Sequence, residues 1–149
     1  MKNSKQIQKI MVIHGPNLNM LGKREPDIYG KTTLEQINSD IEILGKNLGL
    51  SIETYQSNYE GEIVEKIQKC LNTCNGLIIN PAAYTHTSIA IRDALLLLDI
   101  PVIEIHISNI HKREAFRRKS VIADIVTGQI SGFGVFGYRM AIIGMADFL

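Results

Sequence analysis

Two pairs of residues in this chain have the types and spacing that acid–base chemistry requires. Arg24 precedes Tyr29 by five residues, and Glu104 precedes His106 by two. A cation within about 4–6 Å lowers an acid's pKa by roughly 1–3 units, so Arg24 could make the Tyr29 phenol a general base. Residues two apart on a strand point to one face, where a carboxylate supports a protonated imidazole. The sequence therefore offers a candidate base and a candidate acid.

Each pair also has a purely structural interpretation. Tyr29 could be a packed surface tyrosine beside a solvated arginine, and His106 could be a core histidine with satisfied hydrogen bonds. The connection from His14 to Gly30 favours function, because about 2–6 residues usually join a strand to a helix. Its apolar residues can pack, and Gly22 and Gly30 could be the hinges of a lid that closes over a site.

Further polar residues follow the predicted strands. His14 and Asn17 follow the first, Asn80 and His86 follow the third, and Glu104–Asn109 ends the fourth. Ligands of open parallel sheets bind beyond the carboxyl ends of the strands, so we expect these clusters to converge on one rim. His86 could hold an anion or hydroxyl there, or could cap the next helix. The histidines lack partners at tight metal-ligand spacing, and we expect no metal.

The periodicity of apolar residues predicts alternating strands and helices. The strands are expected at Ile10–Ile13, Leu50–Tyr55, Leu77–Ile79, Val102–His106 and Gly128–Ser131, and the helices at Leu34–Leu48, Ile63–Leu71, Thr87–Leu98 and Val135–Leu149. This alternation predicts an α/β fold, a flavodoxin-like three-layer sandwich whose five-stranded parallel sheet has the order 2-1-3-4-5. The length of 149 residues predicts a single domain, 1–149.

The composition narrows the classes of function. A net charge of +1 gives no general attraction to nucleic acids or anionic membranes, and no apolar run reaches about 18 residues. The polar N-terminus differs from a signal peptide, so we expect a cytoplasmic protein. Lys112–Lys119 is a dense basic run that could bind nucleic acid. We favour a solvated face with one or two arginines turned into an anionic site.

Two further patterns have structural interpretations. Cys70 and Cys74 share a helical face with apolar residues, which predicts core packing rather than a metal or redox site. Gly132–Gly137 matches the dinucleotide-binding fingerprint literally. That fingerprint needs a following β–α–β unit, whereas this chain ends at Leu149. We expect these glycines to allow close packing of the last helix.

From Ile10 to about Ala141 the chain resembles the type II 3-dehydroquinate dehydratases. The motifs that carry the resemblance are His14-Gly-Pro-Asn-Leu-Asn, Arg24-Glu-Pro-Asp-Ile-Tyr29-Gly, Gln56-Ser-Asn-Tyr-Glu-Gly, Asn80-Pro-Ala-Ala-Tyr-Thr-His86-Thr-Ser, Ile91-Arg-Asp93-Ala, Glu104-Ile-His106-Ile-Ser-Asn and Arg113-Glu-Ala-Phe-Arg117. The resemblance implies a lyase of the shikimate pathway that dehydrates 3-dehydroquinate to 3-dehydroshikimate through an enolate, with neither metal nor organic cofactor. It also implies dodecamers built from trimers.

The resemblance further implies a role for each candidate residue. Tyr29 would remove the C2 proton, with its pKa lowered by Arg24. His106, oriented by Glu104, would protonate the departing C1 hydroxyl. Asn17 would hold a water near the enolate oxygen. Asn80, His86 and Arg117 would bind hydroxyl groups, and the backbone of Ile107 and Ser108 would bind the carboxylate. Asp93 of a neighbouring subunit would approach the site.

Two other functions stay open from the residues alone. The flavodoxin-like winding also suits a flavin- or nucleotide-binding module, although no Ser/Thr-rich phosphate loop follows the first strand. The run Lys112–Lys119 would suit a nucleic-acid binder, whose affinity should fall steeply with salt. A biosynthetic role and a quinate-degrading role fit the same dehydratase residues.

Overall fold

The computed structural model describes residues 5–23, 27 and 30–149. The strands of this part of the chain are β1 (Gln8–His14), β2 (Leu50–Gln56), β3 (Gly76–Asn80), β4 (Val102–His106) and β5 (Gly128–Ser131), and its α-helices are α1 (Leu34–Asn47), α2 (Glu60–Lys69), α3 (Ile89–Leu96) and α4 (Phe136–Phe148). Short 3-10 turns span Leu18–Met20, Ala82–His86, Ile110–Lys112 and Ala115–Arg117. Every predicted strand and helix is present, with ends that differ by up to three residues from the prediction.

The strands form one parallel sheet in the order β2-β1-β3-β4-β5, which confirms the predicted flavodoxin-like winding. In the register of the sheet, His14 lies beside Asn80, and His106 lies beside Ser131. These residues end their strands, so the carboxyl ends of β1, β3, β4 and β5 meet along one edge. The polar residues that follow the strands are thereby brought to the same side of the molecule.

Helices cover both faces of the sheet, as the apolar runs of the central strands require. On β1, Ile10 and Val12 belong to the core beneath α1 and α4, while Met11 and Ile13 belong to the core beneath α2 and α3. Close packing of α4 is also confirmed, because a Cβ at Gly137 would lie 3.3 Å from the Cδ1 of Ile105. None of the helices in the described ranges combines the length and apolarity that crossing a membrane demands.

Two local predictions need correction. Helix α3 begins at Ile89 rather than Thr87, because the preceding residues form a 3-10 turn and the Ser88 hydroxyl caps the helix by accepting from the Ile91 amide at 3.0 Å. Cys70 and Cys74 are buried free thiols as predicted, but α2 ends at Lys69, so Cys74 lies in the connection to β3. Burial, with a smaller effect of Cys74, raises the pKa of the Cys70 thiol to about 12, so this thiol stays protonated.

Candidate active site

A cavity of about 330 Å³ opens at the carboxyl ends of β1, β3 and β4. Its walls come from the loop after β1, the 3-10 turn after β3, and the segment that follows β4. Seven of the predicted site residues line it: Asn17, Asn80, His86, His106, Ile107, Ser108 and Arg117. The expected convergence of polar clusters on one rim is therefore confirmed.

The other four predicted site residues have different positions. Glu104 is fully buried behind His106. Asp93 is exposed on α3 and does not line the cavity. Arg24 and Tyr29 lie outside the described residues.

Glu104 and His106 form a buried pair on one face of β4. The Oε2 atom of Glu104 lies 2.5 Å from the Nε2 atom of His106. Two hydroxyls also donate to this carboxylate, from Thr85 at 2.7 Å and from Ser120 at 2.8 and 2.9 Å. Thr85 and Ser120 were not predicted from the sequence, because they lie 19 and 16 residues from Glu104 and no motif links Ser120 to it.

This environment keeps Glu104 ionised in spite of its burial. Burial raises the pKa of Glu104, but the hydrogen bond and charge of His106, with the Thr85 and Ser120 hydroxyls, lower that pKa below its usual value. An ionised Glu104 fixes a proton on Nε2 of His106 and leaves Nδ1 as the ring nitrogen for a ligand. The side chain of His106 is 5% exposed and lines the cavity. In its protonated form, which the Glu104 carboxylate supports, His106 can give its Nδ1 proton to a ligand at the base of the cavity.

Two side chains of the Gln56–Gly61 motif hold the loop after β1 in place by hydrogen bonds. The Oδ1 atom of Asn58 accepts from the Asn17 backbone amide at 3.0 Å and from the Gln56 Nε2 at 3.1 Å. Gln56 Nε2 also donates to the Gly15 carbonyl at 3.2 Å. Asn17 has a φ of 68°, a left-handed conformation that asparagine tolerates better than most residues. The sequence motif alone does not predict these supporting contacts.

Basic side chains line the opposite wall. Nδ1 of His86 donates to the Lys119 carbonyl at 2.8 Å, which leaves Nε2 for a ligand. The guanidinium of Arg117 pairs with Glu114 at 2.9 Å, and Arg113 also lines the cavity. The interpretation of the basic run as a face with one or two arginines turned into a site is confirmed.

The glycine-rich segment Gly132–Gly137 supports the backbone that follows β4. The amide of Gly132 donates to the His106 carbonyl at 3.3 Å, and that of Gly134 donates to the Ile107 carbonyl at 2.9 Å. In a trans peptide the N–H points opposite to the preceding carbonyl. The N–H groups of Ile107 and Ser108 are therefore directed away from the glycine segment, an orientation that suits an anion in the cavity.

Comparison with known proteins agrees with this geometry. A model of the family "Dehydroquinase class II" matches residues 8–146. The chain belongs to this family. The predicted family and the predicted class of enzyme are thereby confirmed.

Similar proteins extend over nearly the whole chain. Proteins named 3-dehydroquinate dehydratase from Campylobacter hominis and Aliarcobacter butzleri are 58% and 56% identical, over 92% and 95% of this chain and 88% and 86% of their own lengths. The crystal structure of a type II dehydroquinase from Propionibacterium acnes has a TM-score of 0.91 at 44% identity, covering 94% of this chain and 97% of that one. That from Butyrivibrio crossotus has a TM-score of 0.90 at 48% identity, covering 95% and 98%.

His14 occupies an unexpected place in this dehydroquinase. It is fully buried, with Nδ1 at 3.0 Å from the Tyr138 hydroxyl and Nε2 at 2.8 Å from Oδ1 of Asn38. Both ring nitrogens are thus engaged away from the cavity wall. Within the described ranges, no group of three or more His, Cys, Asp or Glu side chains is arranged to hold a metal ion.

Burial of His14 should make the stability of the protein depend on pH. Burial lowers the pKa of His14 from 6.5 to about 4, although the hydrogen bond with Asn38 opposes the shift. Between these values the unfolded chain binds a proton that the folded chain does not, so stability falls as the pH falls, by up to about 1.4 kcal/mol per pH unit. Urea unfolding of His14→Gln should show a shallower loss of stability between pH 6.5 and 4.5 than the unsubstituted protein.

The matched control for this measurement is His111→Gln, because His111 is exposed. Its pH dependence should follow that of the unsubstituted protein. Equal slopes for the His14 and His111 variants would contradict the assignment of a low pKa to His14.

Proposed function

We propose that the cavity binds 3-dehydroquinate and that the chain eliminates water from it to give 3-dehydroshikimate. The observation that carries this proposal is the buried Glu104–His106 pair at the base of a cavity with a basic wall. Loss of water from a β-hydroxy ketone needs a group that removes a proton beside the carbonyl and a group that protonates the departing hydroxyl. His106 meets the second requirement.

In the proposed reaction, Tyr29 takes the C2 proton and the electron pair of the C–H bond moves into an enolate. The pair then forms the C1–C2 double bond while the C1–O bond breaks. His106 gives a proton to the leaving oxygen, which departs as water. Arg24 favours the ionised phenol of Tyr29, and this part of the proposal rests on the resemblance to the family, since Arg24 and Tyr29 lie outside the described residues.

The other proposed roles follow the cavity wall. The amide of Asn17 holds a water near the enolate oxygen, and Asn80, His86 and Arg117 bind hydroxyl groups. These roles are supported by the position of all four residues on the wall of one cavity. The directed N–H groups of Ile107 and Ser108 bind the carboxylate. These groups complete the reaction without a metal or an organic cofactor.

The direct test of the function is an absorbance assay of the purified protein with 3-dehydroquinate. The product contains a double bond conjugated with the ketone, so its ultraviolet absorption should rise as the substrate is consumed. Absence of any such rise would overturn the proposed function.

We also propose a cytoplasmic location, which two free buried thiols support because reducing compartments preserve thiols.

We further propose that Asp93 serves the site of a neighbouring subunit in a trimer, and that trimers assemble into a dodecamer. Asp93 is exposed on α3 between Ile89 and Leu96, which are 57% and 58% exposed. The spacing of these residues places them on one face of the helix. An exposed apolar face around a carboxylate suits contact with a second copy of the chain.

Complementation between subunits tests this arrangement. Asp93→Ala should raise KM about 10-fold, as the loss of a charged hydrogen bond does. Co-expression of Asp93→Ala with an inactive His106→Asn chain should then restore sites with the KM of the unsubstituted protein, because each hybrid site can combine the intact residue of each chain.

Asp99→Ala is the control, since Asp99 is exposed just beyond the same helix. It should leave KM unchanged. If the hybrids show only the KM of the Asp93→Ala protein, Asp93 does not serve the site of a neighbouring subunit. Sedimentation of the protein as a monomer would overturn the proposed assembly.

A further inference from the structure

A chain of buried hydrogen bonds connects α1 to the wall of the cavity. Oδ1 of Asn38 lies 2.8 Å from Nε2 of His14, whose Nδ1 lies 3.0 Å from the Tyr138 hydroxyl. That hydroxyl lies 3.1 Å from Nδ2 of Asn80, which lines the cavity. His14, Tyr138 and Asn80 are each at most 3% exposed. None of His14, Tyr138 and Asn38 has a role in the proposed reaction.

The direction of the bonds in this chain follows from its two ends, the Ala82 amide and the Asn38 side-chain oxygen. The N–H of Ala82 can only donate, and it meets Oδ1 of Asn80 at 3.1 Å. Nδ2 of Asn80 therefore donates to the Tyr138 oxygen. At the other end, Oδ1 of Asn38 can only accept, so Nε2–H of His14 donates to it. Nδ1 of a neutral His14 is then an acceptor, and the Tyr138 hydroxyl donates to it.

Protonation states at neutral pH keep this direction. Burial raises the pKa of Tyr138, and the hydrogen bond from Asn80 offsets this only in part, so the phenol keeps its hydrogen. His14 is neutral, as its lowered pKa shows, and one of its nitrogens is then an acceptor. An inverted Asn80 amide would place its NH₂ group against the Ala82 N–H. That arrangement leaves two donors facing each other in a partly buried position.

We propose that Tyr138 and His14 are positioning residues that fix the Asn80 amide so that its second Nδ2 hydrogen donates to a hydroxyl oxygen of the substrate. The proposal rests on the proposed function, because it takes a polyhydroxylated substrate to be the occupant of the cavity. One Nδ2 hydrogen is engaged by Tyr138 and Oδ1 by Ala82. The amide thus meets the substrate in one orientation in every turnover.

The variant that tests this role most cleanly is Tyr138→Phe, which removes one oxygen and keeps the ring in the core. Without its acceptor, the Asn80 amide can leave the productive orientation. The affected bond contributes to binding in the ground state and the transition state alike, so KM should rise roughly 3- to 10-fold while kcat stays within about twofold. Steady-state kinetics and thermal unfolding measured together separate this effect from a loss of stability.

Two further variants sharpen the test. Tyr55→Phe is the matched control, because its hydroxyl meets Glu62 and its ring packs on the opposite core of the sheet. It should leave KM unchanged. In an Asn80→Ala background, Tyr138→Phe should raise KM no further, because residues that act through one group are not additive.

His14→Phe supplies an independent test if Tyr138→Phe fails to fold. It removes the acceptor of the Tyr138 hydroxyl and, like Tyr138→Phe, should raise KM. An unchanged KM in a folded Tyr138→Phe or His14→Phe variant, whatever its thermal stability, would overturn the positioning role. Failure of the unsubstituted protein to turn over 3-dehydroquinate would instead overturn the proposed function.

Discussion

Replacement of His106 by asparagine should lower kcat for 3-dehydroquinate at least 100-fold. The Glu104 carboxylate lies 2.5 Å from Nε2 and supports the protonated imidazole, in which the Nδ1–H of His106 is the donor left for the cavity. Asparagine fills a similar space and can still donate to Glu104, but it has no proton to give at neutral pH. General acid–base groups contribute typically 10²- to 10⁴-fold to the rate, and the measurement is kcat from the absorbance assay.

The control for this substitution is His111→Asn, a change of the same chemistry at an exposed position of the segment that follows β4. It should keep kcat within about twofold. Thermal unfolding of His106→Asn should show a folded protein, because the Thr85 and Ser120 hydroxyls still donate to Glu104. A kcat for His106→Asn within tenfold of the unsubstituted protein would remove His106 from the proposed acid role.

The sheet and its order were predictable because they depend on patterns that repeat along the chain. The apolar run Leu77–Ile79 of β3 is buried on both faces, and the spacing of apolar residues in α1 is helical. The rim of the cavity was predictable for a related reason, since parallel strands bring their carboxyl ends together. Glu104 and His106 share a face of β4, as spacing alone requires.

The groups that support the site were not predictable in the same way. The 3-10 turns at Ala82–His86 and Ala115–Arg117 are too short to show a period. Ser120 reaches Glu104, and Tyr138 reaches His14 across 124 residues, only after the sheet has formed. Such contacts depend on tertiary structure, and no local pattern in the sequence indicates them. The sequence therefore predicted the residues that line the cavity better than those that support them.

The proposed mechanism assigns the two proton transfers to residues on different elements, one on a central strand and one on a long connection. His106 lies at the end of a central strand, and its partner Glu104 is fully buried. Tyr29 belongs to the long connection between β1 and α1. If the acid and the base act in separate steps, then removing either one should stop the reaction at a different point. Substitution of both residues can therefore test the order of events as well as the roles.

Replacement of Tyr29 by phenylalanine should lower kcat at least 100-fold, because the ring remains and only the proton-accepting oxygen is lost. Tyr59→Phe is the matched control, since Tyr59 is 70% exposed, and its kcat should stay within about twofold. A kcat for Tyr29→Phe within tenfold of the unsubstituted protein would contradict the proposed base.

Exchange of the C2 hydrogen with solvent separates this base from the acid. In deuterated water, His106→Asn should still form the enolate and so incorporate deuterium at C2 of unreacted 3-dehydroquinate, as followed by NMR. Tyr29→Phe should incorporate deuterium no faster than a sample without protein, because the enolate does not form. If both variants exchanged equally, Tyr29 would not be the group that removes the proton. If neither exchanged, proton removal and loss of water would be a single step, and the enolate would not be an intermediate.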